Sequence, residues 1–499
     1  MSTNLVSRRH FFYGSLLAGA VPAGGFGSTP SLKAMGFKTV LDKLNIAGVG
    51  VGGRGGADLA PMAVSENIVA LCDVNEVYAA KTFQRYPKAK TYKDFRKMFE
   101  AEAKNIDGVV IGTPDHSHTP IALMAMQLGK HVYCEKPLTR TVWEARLLRD
   151  AAAKYKIAAQ MGNQGFSHEG TRTCAEILWS GEIGGVKEVH SWTGGIYGGR
   201  PKFDGPPPEQ PVPAGLDWDL WLTTAENRAY NEDMFKRWRA WIDFSGGGSL
   251  GDWIVHCMGP AHIALQLHLA PPASVECVTV AGVNQWLWPE SSHLRYEFPV
   301  RGAMPAVTIN IYQNMRGDAK FPDGMMEGER LLPPSNNLAE RGRNAPPEPG
   351  TRGGGFRPMA GAPPSASTRP ARPEDSQRAP GNGTLFVGDK GHMATTSRGE
   401  GVWLLPASRW KEYTLPPQIL PRSVNHQQDW VRYAKGGAPG CSNFDIAVPY
   451  IEWLVLGAVA LRVPNKQLMW DAKKMQFTNS PEANKLLRPN IRKGWEMKL

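Results

Sequence analysis

Short apolar runs alternate with amphipathic stretches over the first third of the chain. Residues 43–51 (KLNIAGVGV) form an apolar run that ends in glycines, ADLAPMAVSEN has the periodicity of a helix, and IVALCDVN is a second apolar run. A strand, helix, strand order of this kind predicts parallel strands joined by a crossover. Because the alternation continues to about residue 164, we expect residues 37–164 to form a doubly wound α/β domain.

The pattern changes after residue 165, where strand-like runs follow one another with few helices between them. These runs are VKEVHSWTGG, ASVECVTVAGV, LRYEFPV, AVTINIYQN and GTLFVGDKGHMATT. They predict a second, α+β domain over residues 165–470 with a mostly antiparallel sheet. The late apolar run VPYIEWLVLGAVALRV predicts a helix, and residues 471–499 are a C-terminal extension.

One segment of the second domain departs from this pattern. Residues 316–382 are crowded with glycine, proline, arginine and serine, a composition that buries too little apolar surface to order itself well. We expect a long mobile insertion there, and a lid over the site is the less favoured alternative.

Composition limits the classes of function. At 499 residues with 42% hydrophobic positions, the chain suits a globular protein of two domains. Its net charge is +11, but the sequence contains no run of five basic residues, so nucleic acid is not an expected partner. The six cysteines stand singly, so we expect buried free thiols and no metal site. No apolar run is long enough to span a membrane, so no integral membrane segment is expected once a signal is removed.

The N-terminus has the pattern of an export signal. In SRRHFFYGSLLAGAVPAGG the paired Arg8 and Arg9 precede bulky Phe11 and Phe12 and a mildly apolar stretch with small residues. Residues 1–36 therefore resemble a twin-arginine signal and linker, which predicts a periplasmic or otherwise exported protein. A disordered basic tail is the alternative. The twin-arginine route carries folded proteins, often with a cofactor bound.

A glycine-rich turn follows the first predicted strand. Gly48, Gly50 and Gly53 satisfy G-x-G-x-x-G, and Asp73 ends the second strand twenty residues later. The first glycine permits the tight turn, the second lets the backbone approach a pyrophosphate, and the third allows close helix packing. Because an acidic side chain accepts hydrogen bonds from ribose hydroxyls and repels a 2′-phosphate, we expect NAD as the cofactor and NADP as the less favoured one.

Two later strands end in distinctive residues: Thr113 and Pro114 in IGTPDHSH, and Glu135, Lys136 and Pro137 in YCEKP. The order and spacing of G-x-G-x-x-G, T-P-x-x-x-H and E-K-P resemble those of the Gfo/Idh/MocA family (glucose-fructose oxidoreductase, inositol dehydrogenase and rhizopine catabolism). The resemblance covers residues 43–315 and 383–470. It implies an NAD- or NADP-binding Rossmann domain joined to an α/β domain with a large open sheet, and a homodimer or homotetramer.

The motifs and the resemblance together assign cofactor contacts. The residues expected to line the cofactor are Gly48, Gly50, Val51, Gly52, Gly53, Arg54, Asp73, Thr113, Pro114, His118, Glu135, Lys136, Asn163 and Gln164. A structural role is the alternative for His118. The Lys136–Pro137 bond is a candidate cis peptide.

The resemblance also assigns catalysis. Lys136 would touch the nicotinamide ribose and the substrate hydroxyl, and Asp252 and His256 in GGGSLGDWIVHCMGPAH would be an acid/base couple. Residues four apart share one face of a helix, so we expect Asp252 to bond His256 directly and orient it. His256 would take the hydroxyl proton while Lys136 stabilises the alkoxide. A salt-bridged surface pair is the alternative, and His262 is expected to be structural.

The expected substrate is a sugar or glycoside. Tryptophans and tyrosines are frequent before Asp252, and indole faces suit pyranose rings, although most tryptophans are core residues. Candidate substrate contacts are His168, Trp192, Tyr197 and Trp241, while Arg200, Arg237 and Arg239 are expected to be solvated or structural.

An exported enzyme works where free NAD is scarce, so the cofactor is expected to be tightly held and restored on the protein. The favoured function is a sugar oxidoreductase. The alternatives are an NAD-dependent glycoside hydrolase or lyase that passes through a transient keto-sugar, and a non-catalytic sugar-binding protein that retains the nucleotide.

Overall fold

The first third of the chain folds into a parallel sheet flanked by helices. The computed structural model describes residues 42–201, 203, 205–315, 329–343 and 381–499. The strands are β1 (Asn45–Val49), β2 (Asn67–Cys72), β3 (Lys90–Tyr92), β4 (Gly108–Ile111), β5 (His131–Glu135) and β6 (Ala159–Gly162). The helices are α1 (Arg54–Met62), α2 (Glu76–Arg85), α3 (Phe95–Glu102), α4 (Asp115–Gln127) and α5 (Val142–Lys154).

The strand order of this sheet creates a crevice. The order is β3-β2-β1-β4-β5-β6, so the direction of winding reverses between β1 and β4. All four residues of β4 are buried, as expected of a parallel strand covered on both faces. The predicted doubly wound fold is confirmed. Ligands of such sheets bind at the carboxyl ends of the strands beside the reversal, where the glycine turn lies.

The second domain is built on nine strands. They are β7 (Val186–Thr193), β8 (Ser274–Ala281), β9 (Ser291–Phe298), β10 (Val307–Gln313), β11 (Gly383–Gly388), β12 (Gly391–Thr396), β13 (Val402–Leu405), β14 (Gln467–Asp471) and β15 (Gln476–Phe477). Their order is β13-β12-β11-β7-β10-β9-β8-β14-β15. Only the β7–β10 pair is parallel among these strands, so the predicted large, mostly antiparallel sheet is confirmed.

Helices of the second domain pack along this sheet and against the first domain. They are α6 (Glu169–Trp179), α7 (Trp218–Leu222), α8 (Glu232–Lys236), α9 (Val255–Cys257), α10 (Gly259–Ala264), α11 (Ala407–Glu412), α12 (His426–Ala434), α13 (Phe444–Ala460) and α14 (Pro481–Asn484). The predicted late apolar helix is α13, which lies between α5 and β8. Within the described residues, no helix combines the length and apolarity needed to cross a membrane.

Part of the predicted insertion is packed, which differs from our expectation. Within residues 329–343, the side chains of Leu331, Leu332 and Leu338 are buried. The Trp403 indole donates to the Leu331 carbonyl at 3.0 Å. The average composition of residues 316–382 conceals this short leucine-containing stretch. Residues 316–328 and 344–380 of the insertion, and the predicted export signal, lie outside the described residues.

The C-terminal extension returns to the first domain. The amide of Trp143 donates to the Leu487 carbonyl at 3.1 Å, and Arg96 lies 4.5 Å from the centre of the Trp495 ring. The amide of Arg492 donates to Thr224 of the second domain at 3.0 Å. The extension therefore bonds to both domains. The six cysteines are free, five of them buried and one, Cys441, partly exposed.

Candidate active site

The turn between β1 and α1 has the backbone of a phosphate-binding loop. Gly50 has a φ of +76°, and a Cβ there would lie 2.7 Å from the Thr113 amide nitrogen, so this position requires glycine. Helix α1 begins at Arg54, its N-cap Gly53 has no side chain to bond the first amides, and its first turn contains no acid. These N–H groups and the positive end of the helix dipole suit an anion.

The close approach of α1 to the sheet is made by a different glycine from the one predicted. A Cβ on Gly55 would lie 2.4 Å from the Gly50 carbonyl oxygen and 3.3 Å from the Gly112 Cα. Gly53, to which we assigned this packing role, instead faces the Tyr78 hydroxyl, 2.6 Å from its hypothetical Cβ. The reason is that α1 starts one residue after Gly53, which leaves Gly53 on the turn and Gly55 on the face against the sheet.

The other residues of the turn divide between the crevice and the core. Gly48 is packed against Leu59, and the Val51 side chain is fully buried, so Val51 offers only its backbone. The Gly52 amide donates to Asp73 at 2.9 Å, as does the Asn75 amide. Burial raises the pKa of Asp73, and these amides oppose that rise.

Together these features fit a dinucleotide. The uncapped start of α1 offers donors for a diphosphate, and Asp73 stands at the end of β2 where an adenosine ribose lies in this fold. The Thr113 hydroxyl at the end of β4 is buried and has no partner among the described residues. Tyr78, which sequence analysis missed, is half exposed and lies directly over Gly52.

His118 is bonded to the backbone of two strand ends, in agreement with the structural alternative. Its Nδ1 lies 2.9 Å from the Pro137 carbonyl and its Nε2 lies 2.8 Å from the Thr113 carbonyl. Both ring nitrogens are therefore occupied by backbone, and the residue ties the ends of β4 and β5 together. Pro114 is the N-cap of α4 beside it, and the Lys136–Pro137 bond is cis, as was considered from the sequence.

A buried carboxyl pair lies beneath the glycine turn. Arg54 donates to Asp58 at 2.7 Å and to Glu135 at 3.3 Å, and Gln164 donates to Glu135 at 2.7 Å. Burial raises the pKa of Asp58 well above its ordinary value, while Arg54 and Asp58 help to lower that of Glu135. The Gln164 amide nitrogen, a predicted cofactor contact, thus donates to Glu135 in the structure.

Lys136 and Asp252 join the two domains. The Lys136 ammonium donates to the Asp252 carboxylate at 2.8 Å and to its backbone carbonyl at 2.9 Å. Arg239 donates to the same carboxylate oxygen at 3.2 Å. Burial raises the pKa of Asp252, but the two cations outweigh it and bring the pKa below its ordinary value. Lys136 has three N–H groups, so one remains for a substrate oxygen.

The bonds of His256 differ from the prediction. Its Nδ1 lies 2.9 Å from the Asn163 side-chain oxygen, and neither of its ring nitrogens bonds Asp252. Asp252 lies in a π-helical turn, Leu250–Ile254, and its bonds go to Lys136 and Arg239. Two cations at hydrogen-bond distance bind a carboxylate more strongly than a neutral imidazole does. The orienting position predicted for Asp252 is therefore occupied by Asn163, a predicted cofactor contact.

The Asn163 contacts determine the tautomer of His256. The Asn163 nitrogen donates to the Val255 carbonyl at 2.6 Å, so its oxygen must accept from His256. The proton of neutral His256 then sits on Nδ1, and Nε2 keeps its lone pair. Burial, Lys136 and Arg398 lower the pKa of His256 well below its ordinary value. His256 is therefore neutral near pH 7 and available as a base through Nε2.

Aromatic and cationic side chains form the walls around His256. The half-buried Trp253 ring lies 5.9 Å from the His256 ring, centre to centre. The Arg398 guanidinium lies 5.3 Å from the centre of Trp253. His168 Nδ1 donates to the Arg398 carbonyl at 3.0 Å, and the exposed Tyr197 lies beside Arg239 at 5.7 Å. His168 and Tyr197 therefore remain candidates for substrate contact.

The other two candidate substrate residues are in the core. Trp192 and Trp241 are fully buried, and the Trp192 indole donates to the Gly381 carbonyl. Their positions in apolar strands and loops agree equally well with burial and with substrate contact. The packing of the folded chain shows that both are core residues. His262 is structural as predicted, because Nε2 lies 3.1 Å from the Ile446 carbonyl and Nδ1 accepts from Trp453.

Three residues at this site were not predicted from the sequence: Tyr78, Trp253 and Arg398. Trp253 stands next to Asp252 in the motif, so its position was an available signal. Arg398 follows a hairpin strand 142 positions beyond His256, and nothing in the local pattern links the two. Among the described residues, no group of three histidine, cysteine, aspartate or glutamate side chains could hold a metal ion.

Two family models match the chain. Residues 44–163 match a model described as "Oxidoreductase family, NAD-binding Rossmann fold", and residues 199–285 match "Oxidoreductase family, C-terminal alpha/beta domain". Both describe one oxidoreductase family, and the matched ranges contain the glycine turn, Lys136, Asp252 and His256.

Curated relatives match part of the chain. Inositol 2-dehydrogenase of Salmonella paratyphi B is 30% identical over 151 residues, which are 30% of this chain and 44% of the relative. A glycosyl hydrolase family 109 protein of Shewanella sp. strain W3-18-1 is 28% identical over 187 residues, 33% of this chain and 41% of the relative. The matches thus span less than half the length of these relatives.

A solved structure matches the fold over more of the chain. The aldose-aldose oxidoreductase of Caulobacter crescentus, complexed with glycerol, superposes with a TM-score of 0.52 at 15% identity. The superposition covers 86% of this chain and 100% of that one. It shows that the two proteins share a fold.

Proposed function

Because the chain belongs to the Gfo/Idh/MocA family of oxidoreductases, we propose that it transfers a hydride from a hydroxyl-bearing carbon of a sugar or glycoside to a tightly held NAD. The observation that carries the proposal is the meeting of Lys136 from the first domain with the Asp252 to His256 segment from the second. An ammonium from the first domain is thereby bonded to the segment of the second domain that carries the neutral imidazole.

The chain's own residues account for the proton and the developing charge. When bound, NAD supplies the acceptor for the hydride that leaves the carbinol carbon. His256 Nε2 takes the hydroxyl proton, and the remaining Lys136 N–H stabilises the oxygen as its negative charge develops. Asp252 keeps Lys136 in place, and Asn163 keeps the proton of neutral His256 on Nδ1, so that Nε2 retains its lone pair.

The residues around Asp73 favour NAD over NADP. A 2′-phosphate there would be repelled by the Asp73 carboxylate, which the Gly52 and Asn75 amides hold at the end of β2. The start of α1 and the Gly50 turn would hold the diphosphate.

The function is tested on the purified full chain. Denaturation should release NAD, and addition of sugars to the untreated protein should produce the near-ultraviolet absorbance of reduced nicotinamide. His256→Ala and Lys136→Ala should abolish this reduction while the bound nucleotide is retained. Full activity in either variant would contradict the assignment.

A second candidate is glycoside cleavage through a transient keto-sugar. The similarity to a glycosyl hydrolase family 109 protein supports this second candidate. Release of an aglycone without net accumulation of reduced nicotinamide identifies this reaction. Retained NAD with no turnover of any sugar or glycoside would instead favour a sugar-binding protein.

Export and assembly are further parts of the proposal. The Arg8–Arg9 pair supports export by the twin-arginine route, and Lys substitutions at both positions should retain the protein inside the cell. We also propose a homodimer or homotetramer through the open face of the nine-stranded sheet, where alternate residues of β9 are partly exposed. Analytical ultracentrifugation of the full chain tests the assembly.

A further inference from the structure

The turn between β12 and β13 is held at a defined place beside the cleft. A Cβ on Gly165 would lie 2.6 Å from the Arg398 carbonyl oxygen, and one on Gly170 would lie 2.4 Å from that of Gly399. Gly399 itself has a φ of +68°. His168 adds a hydrogen bond of 3.0 Å to the Arg398 carbonyl. Gly165 and Gly170 beneath the turn and Gly399 within it thus permit close backbone contact. This contact fixes the position of the Arg398 backbone, from which the side chain extends.

The Arg398 guanidinium has no acidic partner among the described residues. It extends over Trp253, which in turn lies next to His256. The acid of the same turn, Glu400, is used elsewhere: its carboxylate accepts from the Arg398 backbone amide at 3.1 Å and from the Thr396 hydroxyl at 2.6 Å. An arginine that stacks on Trp253 and has no acidic partner in the described part of the chain therefore lies close to His256.

Other cations around the cleft have carboxylate partners. These pairs are Arg200 with Glu290, Arg237 with Asp233, and Lys136 and Arg239 together with Asp252. Because Lys136 and Arg239 share one carboxylate, these three residues carry one positive charge in excess even without Arg398. This excess opposes the further positive charge that His256 acquires when it takes a proton.

We propose that the substrate is an acidic sugar derivative whose carboxylate or phosphate is bound by Arg398 while its ring lies on Trp253. The proposal rests on the proposed function and names the substrate class of that site. A guanidinium offers a planar set of N–H donors that pairs with either anion through two hydrogen bonds. The anionic group would also offset the positive charge that develops on His256.

The test compares three ligands on the purified chain with its nucleotide bound: D-glucuronate, D-glucose 6-phosphate and D-glucose. Binding is measured by calorimetry and cofactor reduction by absorbance. The variants are Arg398→Gln and Arg398→Lys. The control is Arg488→Gln, since Arg488 stacks on Trp143 at 4.2 Å outside the site.

We expect one of the two anionic sugars to bind more tightly than glucose. Arg398→Gln should weaken that binding about 10- to 100-fold and leave glucose unchanged, since a hydrogen bond to a charged group is lost. Arg398→Lys should restore part of the affinity, and Arg488→Gln should have no effect. The uronate and phosphate arms show which anion the site prefers.

Three results would overturn the proposal. Equal affinity for charged and neutral sugars would remove the role of charge. Equal weakening of all three ligands by Arg398→Gln would make Arg398 a general support of the cleft. Loss of nucleotide from that variant would place Arg398 on the cofactor. A different result would contradict the proposed function and not the role of Arg398: anionic sugars would bind through Arg398, but neither they nor glucose would undergo turnover.

Discussion

Replacing Asn163 by aspartate should raise the pKa of His256 and move the acid limb of the pH–rate profile to higher pH. The Asn163 oxygen lies 2.9 Å from His256 Nδ1, and both side chains are buried. The substitution places a carboxylate where a neutral carbonyl stands, with almost no change of shape. The Val255 carbonyl loses the Asn163 donor but keeps the Tyr450 hydroxyl at 2.7 Å.

The magnitude follows from the distance. Two unit charges about 4 Å apart interact by about 4 kcal/mol at an effective dielectric constant of about 20. This energy corresponds to about 3 pKa units, since one unit is about 1.4 kcal/mol. Burial of the new carboxylate opposes part of the effect, so we expect a net rise of about 1 to 3 units.

The direction of the change in activity follows from the role of His256 as a base. Its pKa in the natural protein lies well below the ordinary value, so the neutral form prevails near pH 7. In the Asn163→Asp variant, the acid limb should lie about 1 to 3 pH units higher, so kcat/KM should fall about tenfold or more at pH values between the two limbs and recover as the pH rises. Asn163→Leu, which adds no charge, should lower kcat without moving the acid limb.

The assay is kcat/KM for sugar oxidation across the pH range, with the histidine titration followed by NMR. An acid limb at the same pH in the aspartate variant and the natural protein would refute the reasoning, because His256 would then not be the base that Asn163 orients. Thermal melting of each variant distinguishes this result from loss of the fold.

Two further predictions concern the cofactor turn and acid stability. Gly55→Ala places a methyl group 2.4 Å from the Gly50 carbonyl oxygen, so it should lower stability by about 1 to 3 kcal/mol and reduce the NAD retained on purification, whereas the Gly205→Ala control should retain it. Burial lowers the pKa of His116 in the folded protein to about 3. Between about pH 6.5 and pH 3 this histidine therefore binds a proton in the unfolded chain but not in the folded one, so stability decreases as the pH falls through that range. The free energy of unfolding, measured with urea, should therefore fall less between about pH 7 and pH 4 in His116→Phe than in the natural protein, by at most about 3 kcal/mol. An equal fall in both proteins would contradict this account.

Local pattern was enough to predict the Rossmann domain and its glycine turn. Helix and strand periods and the glycine spacing are properties of neighbouring residues, so the winding of β1 to β6 and the positions of Gly50 and Asp73 could be read directly. The close contact with the sheet that we predicted for Gly53 is made by Gly55. The glycine spacing in the sequence does not fix the residue at which α1 begins, because that depends on backbone geometry.

The sequence by itself determined which chemical groups the site contains, namely the Lys136 ammonium, the Asp252 carboxylate and the His256 imidazole. Only the tertiary structure decided how they pair. A separation of four residues brings Asp252 and His256 to one side of a helix, yet Lys136 and Arg239 arrive from elsewhere in the chain and bind the carboxylate more strongly. The partner of His256 is therefore Asn163 from the other domain, because charge pairing in a folded protein depends on every group that reaches the same place.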